Sequence, residues 1–311
     1  MVYKVGIIGF GKIAQDQHLP AIRANPNFEL TAVASQRGLK PNEAKHTFTD
    51  YREMLRDLRD LDAVAICTPP QVRHTIAREA LEAGKHVLLE KPPAATLSEL
   101  EDLRRIGHDM RKVVFTTWHA QYNKGVDIAR DTLAGRTVKR LVVTWKEDVR
   151  HWHPGQQWIW QAGGFGVFDP GINALSIVTK IMPQPVFIKQ SDLQFPANRD
   201  APIAAELQFS TGVEGADLRA VFDWRQTGPQ TWDIEIDCEG GPLMKLSLGG
   251  RRLEVDGEIV ADESDDEYPQ IYRRFEELLA SGQSEVDEAP FRLVGDAFMI
   301  GRRVQVEPFQ D

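Results

Sequence analysis

The run GIIGFGKIA, Gly6 to Ala14, places Gly9, Gly11 and Ala14 in the order G-x-G-x-x-A between a β-branched segment and a charged, helical one. The first glycine admits a tight turn and the second lets the backbone approach a pyrophosphate, while a small third residue lets helix and strand pack closely. The N–H groups at the helix start, on Gly11, Lys12 and Ile13, would then face the phosphates of a dinucleotide. A second determinant falls at the end of the next run, FELTAVAS, where a carboxylate would hold both ribose hydroxyls of NAD. The chain has Ser35, Gln36 and Arg37 there. With no carboxylate to repel a 2′-phosphate and an arginine able to pair with one, NADP is the preferred cofactor and NAD an accepted one.

Two further loops close strand-like runs, Cys67-Thr68-Pro69-Pro70 and Glu90-Lys91-Pro92-Pro93. Ligands bind beyond the carboxyl ends of strands in parallel sheets, so Thr68, Pro69, Glu90 and Lys91 join the cofactor-facing set. Lys91, fixed between a strand end and a proline, has a restricted backbone, which sets it apart from an ordinary solvated lysine. A third stretch, WKEDVRHWHPGQQWIWQAGGFG (145–166), holds four of the seven tryptophans and two of the eight histidines. Sugars have apolar C–H faces and hydroxyl edges, and their sites combine aromatic platforms with carboxylates, amides and imidazoles. Trp152, between His151 and His153 and shortly after Glu147 and Asp148, supplies that mixture. Asp169 and Asn173, four apart at the start of a helical run, lie on one face. His119, after the run VVFTTW, is a further substrate contact. Other readings stay open: Trp145, Trp158 and Trp160 as core or subunit-contact residues, and His151-x-His153 as a metal site. On a continuing strand those histidines would share a face, but a catalytic zinc needs three placed ligands and an open position, so no metal is expected.

The elements that must carry these residues follow from hydropathy rhythm. Up to about Phe115, short apolar runs alternate with helical segments, the pattern of a parallel sheet covered on both faces and hence of a doubly wound, Rossmann-type α/β domain. After Trp118 the rhythm changes to one helix, the strand KRLVVTWKED, the apolar helix INALSIVTKIM and then VFIKQSDLQF, IAAELQFS, LRAVFDW, WDIEID, LMKLSL and RRLEV. These alternating runs, parted by Gly, Pro and Asp, predict an α+β domain with an open, mainly antiparallel sheet. The expected division is 1–120 and 121–311, with helices at YPQIYRRFEELLASG and PFRLVGDAFMIGRRVQ, the last packing back on the first domain. A net charge of −9 and a pI near 5.5 oppose binding to polyanions, so neither nucleic acid nor an anionic membrane is an expected partner. Two distant cysteines make a disulfide framework improbable, there is no secretory leader pattern, and no apolar run nears the ~18–20 residues a membrane span needs. A cytoplasmic location is the expectation.

Taken together these motifs resemble the glucose–fructose oxidoreductase, inositol dehydrogenase and MocA-type family of NAD(P)-dependent sugar dehydrogenases. The resemblance spans the chain: the glycine motif, Glu90-Lys91-Pro92, and a second domain similar to the family's open sheet, which often mediates dimers and so implies a homodimer. WKEDVRHWHPGQQWIW and GVFDPGINALSIV are most similar to the branch acting at C1 of L-arabinose or D-galactose. That likeness implies that Lys91, Glu147, His153, Asp169 and Asn173 occupy the active site. The broader family pattern has histidine four residues after the aspartate. Asn173 stands there in this chain and does not titrate, which leaves Lys91 or Asp169 to move the proton and suits the more acidic anomeric hydroxyl. The implied reaction oxidises an aldopyranose at C1 to its lactone, L-arabinose first and D-galactose second. A non-catalytic NADP-responsive regulator of the same structural family is the rival reading.

Replacing Arg37 with glutamate is expected to raise the Michaelis constant for NADP far more than that for NAD; equal losses with the two cofactors would remove the 2′-phosphate assignment.

Overall fold

Runs such as AVAI (63–66) and VLL (87–89), aliphatic at every position, can serve only as interior strands with both faces covered. In the computed structural model, which describes residues 2–262 and 266–310, they do so. The chain begins with β1 (Tyr3–Ile8), a π-helical turn (Ala14–His18) running into α1 (Leu19–Ala24), β2 (Phe28–Ala34), β3 (His46–Phe48), α2 (Tyr51–Asp57) and β4 (Ala63–Ile66). It continues with α3 (Pro70–Glu82), β5 (His86–Leu89), α4 (Leu97–Met110) and β6 (Val114–Thr116). The six strands are parallel in the order β3-β2-β1-β4-β5-β6, and every residue of β4 is fully buried. Strand order reverses between β1 and β4, so the crevice of a doubly wound sheet opens at their carboxyl ends, where Gly9 and the Cys67–Pro69 loop lie.

Beyond these come α5 (Lys124–Leu133), β7 (Val138–Lys146), the single turn α6 (Val149–Trp152), α7 (Phe168–Ile181), β8 (Phe187–Pro196), β9 (Ala204–Ser210), β10 (Asp217–Asp223) and β11 (Thr231–Cys238). Last are β12 (Leu243–Ser247), β13 (Arg252–Val255), β14 (Glu258–Asp262), α8 (Glu267–Ser281), α9 (Ala289–Ile300) and β15 (Arg302–Val306). The second sheet runs β14-β13-β12-β11-β7-β10-β9-β8-β15 and is antiparallel except where β7 pairs with β10 and β8 with β15. Alternation sets its inner face: Leu141, Val143 and Trp145 of β7 are buried while their neighbours are half-exposed. Helix α7 is buried along most of its length, with Phe168 edge-on to Phe222 of β10.

The chain divides into two compact units, Met1–Trp118 with Asp266–Glu288, and His119–Asp265 with Ala289–Asp311. The late helix of the first unit is α8, not the final helix. Its stripe Tyr268, Ile271, Tyr272, Phe275 and Leu278 repeats at helical spacing, and Phe275 stacks on Phe28 and Phe115, each 6.0 Å away. Helix α9 belongs to the second unit, where Phe291 meets Phe165 and Phe298 meets Phe168. The expected terminal helix also ends early, since Arg302–Val306 is an edge strand. A Cβ on Gly301 would sit 2.5 Å from the Ala297 carbonyl oxygen and 2.7 Å from Leu193, so the chain turns there, and RRVQV continues as β15. Among the described residues no helix is long and apolar enough to cross a membrane.

His86 at the start of β5 accepts the Val113 N–H at Nδ1 (2.9 Å), which requires an unprotonated nitrogen. Burial, helped by the Lys112 charge, lowers its pKa to about 4. Unfolded, the same ring titrates near ~6.5. Its contribution to stability is therefore complete above that value and is lost as the pH falls toward about 4. Melting temperatures of the wild type are expected to drop more steeply over this window than those of His86→Asn, which keeps an acceptor but cannot titrate; parallel curves would refute the assignment.

Candidate active site

Gly9 follows β1 with φ +90°, and a Cβ on it would lie 2.9 Å from the Thr68 backbone nitrogen. Only glycine lets the two strand-end loops meet so closely. A Cβ on Gly11, by contrast, would meet nothing within 4 Å, so the backbone at the helix start has an open face. Ile13 immediately precedes the π turn, and the exposed Lys12 pairs with Asp16. The Thr68 hydroxyl oxygen is buried and has no hydrogen-bond partner among the described residues. Ser35 is buried with its N–H on Phe48 O, while Gln36 and Arg37 are exposed in the turn that Gly38 N–H closes onto Ser35 O (2.8 Å). These residues fit an NAD(P) dinucleotide: the N–H groups of a helix start for pyrophosphate, the Thr68 hydroxyl beside it, and a guanidinium at the ribose end of β2.

The helix after the glycines is not the plain α-helix its sequence suggests. Pro20 has no N–H for the Asp16 carbonyl, and the turn before it widens so that Leu19 N–H bonds Ala14 O. His18 is thereby fully buried, with Nε2 2.9 Å from Glu90 Oε1 and Nδ1 2.9 Å from the Tyr272 hydroxyl. Tyr268 donates to the same Glu90 oxygen (2.7 Å), and the Lys91 N–H donates to Glu90 Oε2 (3.0 Å). Burial opposes charge on His18, but the Cys67 thiol, Tyr272 and Glu90 outweigh it and hold the imidazole well above its ordinary pKa. Burial, with the Glu90 charge, pushes the Tyr268 phenol well up, so it stays a donor. The buried Arg73 guanidinium of α3 donates to the carbonyl oxygens of Thr68, Glu90 and Pro92, fastening the two loops to one another. Lys91 thus rises from a backbone fixed on both sides.

In the second unit the carboxylate of Glu147, just past β7, is buried and takes Nε1–H donations from Trp232 (2.8 Å) and Trp224 (3.2 Å). His153 Nε2 lies 3.8 Å from Glu147 Oε1 and 3.6 Å from Asp169 Oδ2, and its ring lies 5.3 Å from that of Trp224. The stretch carrying the histidines is not a strand. Asp148 accepts the Arg150 N–H (3.0 Å) and caps α6, which throws His151 out to solvent and turns His153 inward. The two histidines therefore do not share a face. Trp152 is half-buried against Trp232 (5.2 Å), which stacks on buried Trp145 (5.8 Å). Trp160 is buried edge-on to Trp224 (5.2 Å). Asp169 occupies the first turn of α7, where the helix dipole favours a carboxylate, and Asn173 follows one turn later; His119 begins a short 3-10 turn at the head of the unit. Such a cluster can lay a ligand's apolar face on indole and grip its hydroxyls with carboxylate and imidazole.

The structure thus gathers Glu147, His153 and Asp169 directly, with Trp152 beside them through Trp232. It groups Gly9, Gly11, Thr68, Pro69, Glu90 and Lys91 at adjoining strand ends of the first unit. The sequence reading missed Trp224 and Trp232, which hold Glu147, and His18, Arg73, Tyr268 and Tyr272, which hold the Glu90–Pro92 loop. Only the tyrosines left a signal, an aromatic pair four apart on one helix face.

Residues 3–117 match the model of the Gfo/Idh/MocA oxidoreductase family, NAD-binding Rossmann fold. The chain is 46% identical over 310 residues to galactose 1-dehydrogenase of Pseudomonas fluorescens, covering 99% of each. It is 51% identical to the crystal structure of D-galactose-1-dehydrogenase from Rhizobium etli, with a TM-score of 0.93 and coverage of 99% of this chain and 98% of that one. A 3-ketoreductase from Actinomadura kijaniata, solved with TDP-benzene and NADP, shares the fold at 20% identity and a TM-score of 0.80, over 98% of this chain and 100% of that one.

Trp232→Phe removes one of two indole donors from a buried carboxylate and is expected to destabilise the protein by about 1.5–3 kcal/mol in urea unfolding. Combined with Glu147→Gln, the loss is expected to be smaller than the sum of the single losses; additive losses would deny the contact its role.

Proposed function

The chain belongs to the Gfo/Idh/MocA oxidoreductase family with its NAD-binding Rossmann fold, and from that premise we propose that it is an NADP-preferring aldose 1-dehydrogenase whose first substrate is D-galactose. The observation that carries this reading is the identity of 46% to a galactose 1-dehydrogenase along essentially the whole of both chains. It ranks D-galactose ahead of L-arabinose, which the sequence alone put first. The two pyranoses share configuration from C1 to C4 and differ by the exocyclic CH₂OH, a group typically worth only ~1–3 kcal/mol in a binding site, so L-arabinose remains the second substrate. The relatives named above are oxidoreductases, which leaves the non-catalytic regulator without support.

In this proposal Gly9, Gly11, Lys12, Ile13, Thr68 and Pro69 hold the dinucleotide, Glu90, whose buried carboxylate is taken up by His18, Tyr268 and the Lys91 N–H, sets the loop beside it instead of touching it, and Ser35, Gln36 and Arg37 take the ribose 2′-phosphate. When bound, the oxidised nicotinamide accepts a hydride from the sugar's C1. Lys91 takes the proton of the C1 hydroxyl as the C1–O bond becomes a carbonyl, giving the lactone. Asp169 is the alternative acceptor of that proton. Asn173, unable to titrate, holds a hydroxyl by its amide. Glu147, His153 and His119 accept from or donate to the remaining hydroxyls, and Trp152 supports the apolar face. A base fixed at its backbone contributes by holding the acceptor in reach of one proton rather than by strength alone.

The test is absorbance of reduced nicotinamide with D-galactose, L-arabinose, D-glucose, D-xylose and myo-inositol, each with NADP and NAD. Turnover is expected to be highest with D-galactose and NADP, and a preference for myo-inositol, or inertness toward all five, would overturn the proposal. Lys91→Met is expected to lose turnover by about 100- to 10,000-fold while NADP binding persists; near-normal turnover would reject its role as base.

A further inference from the structure

The end of the chain is tied to the aromatic cluster of the second unit. After β15, which pairs with β8 up to Val306 and Pro196, Phe309 is held by a reciprocal pair of hydrogen bonds: its N–H donates to Asn198 Oδ1 and Asn198 Nδ2 donates to its carbonyl oxygen, both at 2.9 Å. The ring so placed lies 5.7 Å from that of Trp160. Arg199 lies over Trp160 at 5.3 Å, and Arg150, held by both oxygens of Asp148 at 2.9 Å, reaches over Phe309 at 5.9 Å. From Trp160 the contacts continue inward. Its ring meets Trp224, and Trp224 donates to Glu147 and packs on His153. The same Arg150 belongs to α6, the turn that carries Trp152 and delivers His153.

We propose that Phe309, seated by Asn198, is a positioning residue: it backs Trp160 and Trp224 and so fixes Glu147, His153 and the α6 turn in the arrangement that binds substrate. Its link to substrate rests on the sugar-dehydrogenase reading above; its hold on the α6 turn does not. Phe309 touches no group assigned to the chemistry, so its loss should weaken ligand binding by the second unit and spare proton transfer. An aromatic pair and a cation–π contact together correspond to a rise in the Michaelis constant for D-galactose of roughly fivefold to tenfold.

The experiment compares Phe309→Ala, Phe309→Tyr and Asn198→Ala in the full-length protein. Phe309→Ala and Asn198→Ala are expected to raise KM for D-galactose with kcat and NADP affinity little changed, and Phe309→Tyr to restore wild-type values. An unchanged KM in Phe309→Ala would overturn the proposal, as would a loss shared by kcat and NADP affinity that tyrosine does not rescue, the mark of general destabilisation. Trypsin cleavage after Arg150, followed by fragment mass without any sugar, gives an independent reading. It is expected to speed up several-fold in Phe309→Ala, and an unchanged rate would remove the hold on α6. If the wild type proves inert toward every aldose, the sugar reading falls while the cleavage rate still decides whether the tail holds the turn.

Discussion

A carboxylate with 2% of its residue surface exposed is the constraint around which the first unit is organised. Taking an ionised Glu90 out of water costs several kcal/mol, on the order of what a whole domain has to spare, unless donors replace the water. Donors from separate parts of the chain replace it, among them the His18 imidazole, the Tyr268 hydroxyl and the Lys91 N–H. Each brings a demand of its own. His18 reaches inward from a widened helical turn, Tyr268 from α8 far along the sequence, and Lys91 only if its loop takes one conformation. The polar cluster therefore acts as a specification: the loop carrying the amine cannot move without leaving a buried charge short of a partner.

The second unit repeats the scheme with different donors. Glu147 is held by the N–H groups of Trp224 and Trp232, which are neutral. An arginine in their place would cancel the carboxylate's charge. Indoles fix its plane and leave the charge to act on hydroxyl donors and on the imidazole of His153 nearby. The same rings offer flat apolar faces, so one residue type both anchors a buried anion and forms the platform beside it. The tryptophans between Trp145 and Trp160 pack around those two anchors: Trp145 stacks on Trp232, Trp152 lies against Trp232, and Trp160 meets Trp224 edge-on.

What the sequence discloses and what it withholds divide along sequence separation. Gly9, Gly11, the apolar strands and the alternation of β7 are local patterns, each set by sterics or burial within a few residues, and the structure has them where those patterns lie. The partners of Glu90 and Glu147 are not local: Tyr268 lies 178 positions from Glu90 and Trp232 lies 85 from Glu147. No periodicity records such a pairing. Boundary errors have a similar source. The strand through KRLVVTWKED stops where Asp148 caps a turn, and the final helix gives way at Gly301, where the close approach to Ala297 and Leu193 admits only glycine; both are single-residue features embedded in otherwise continuous patterns. The placing of α8 in the first unit and α9 in the second rests on where each finds its aromatic partners, Phe28 and Phe115 for α8 and Phe165 and Phe168 for α9, and neither sequence names those partners.

That division bears on how substrate choice is encoded. The match to the NAD-binding domain model ends at residue 117, next to the Trp118 that closes the first segment of the first unit. A ketoreductase at 20% identity keeps the architecture of both sheets, which means the backbone alone does not choose the substrate. In the proposed function the choice rests on side chains brought together from the ends of β7 and β10, from β11, and from α6 and α7, which the indole contacts hold to one another. Exchanging Trp232 alters the support of Trp152 and the hold on Glu147 together, because that indole serves both at once. In the proposed function selectivity and rigidity are therefore linked, because a change at Trp232 that widens the cluster for a different sugar also takes a donor from Glu147.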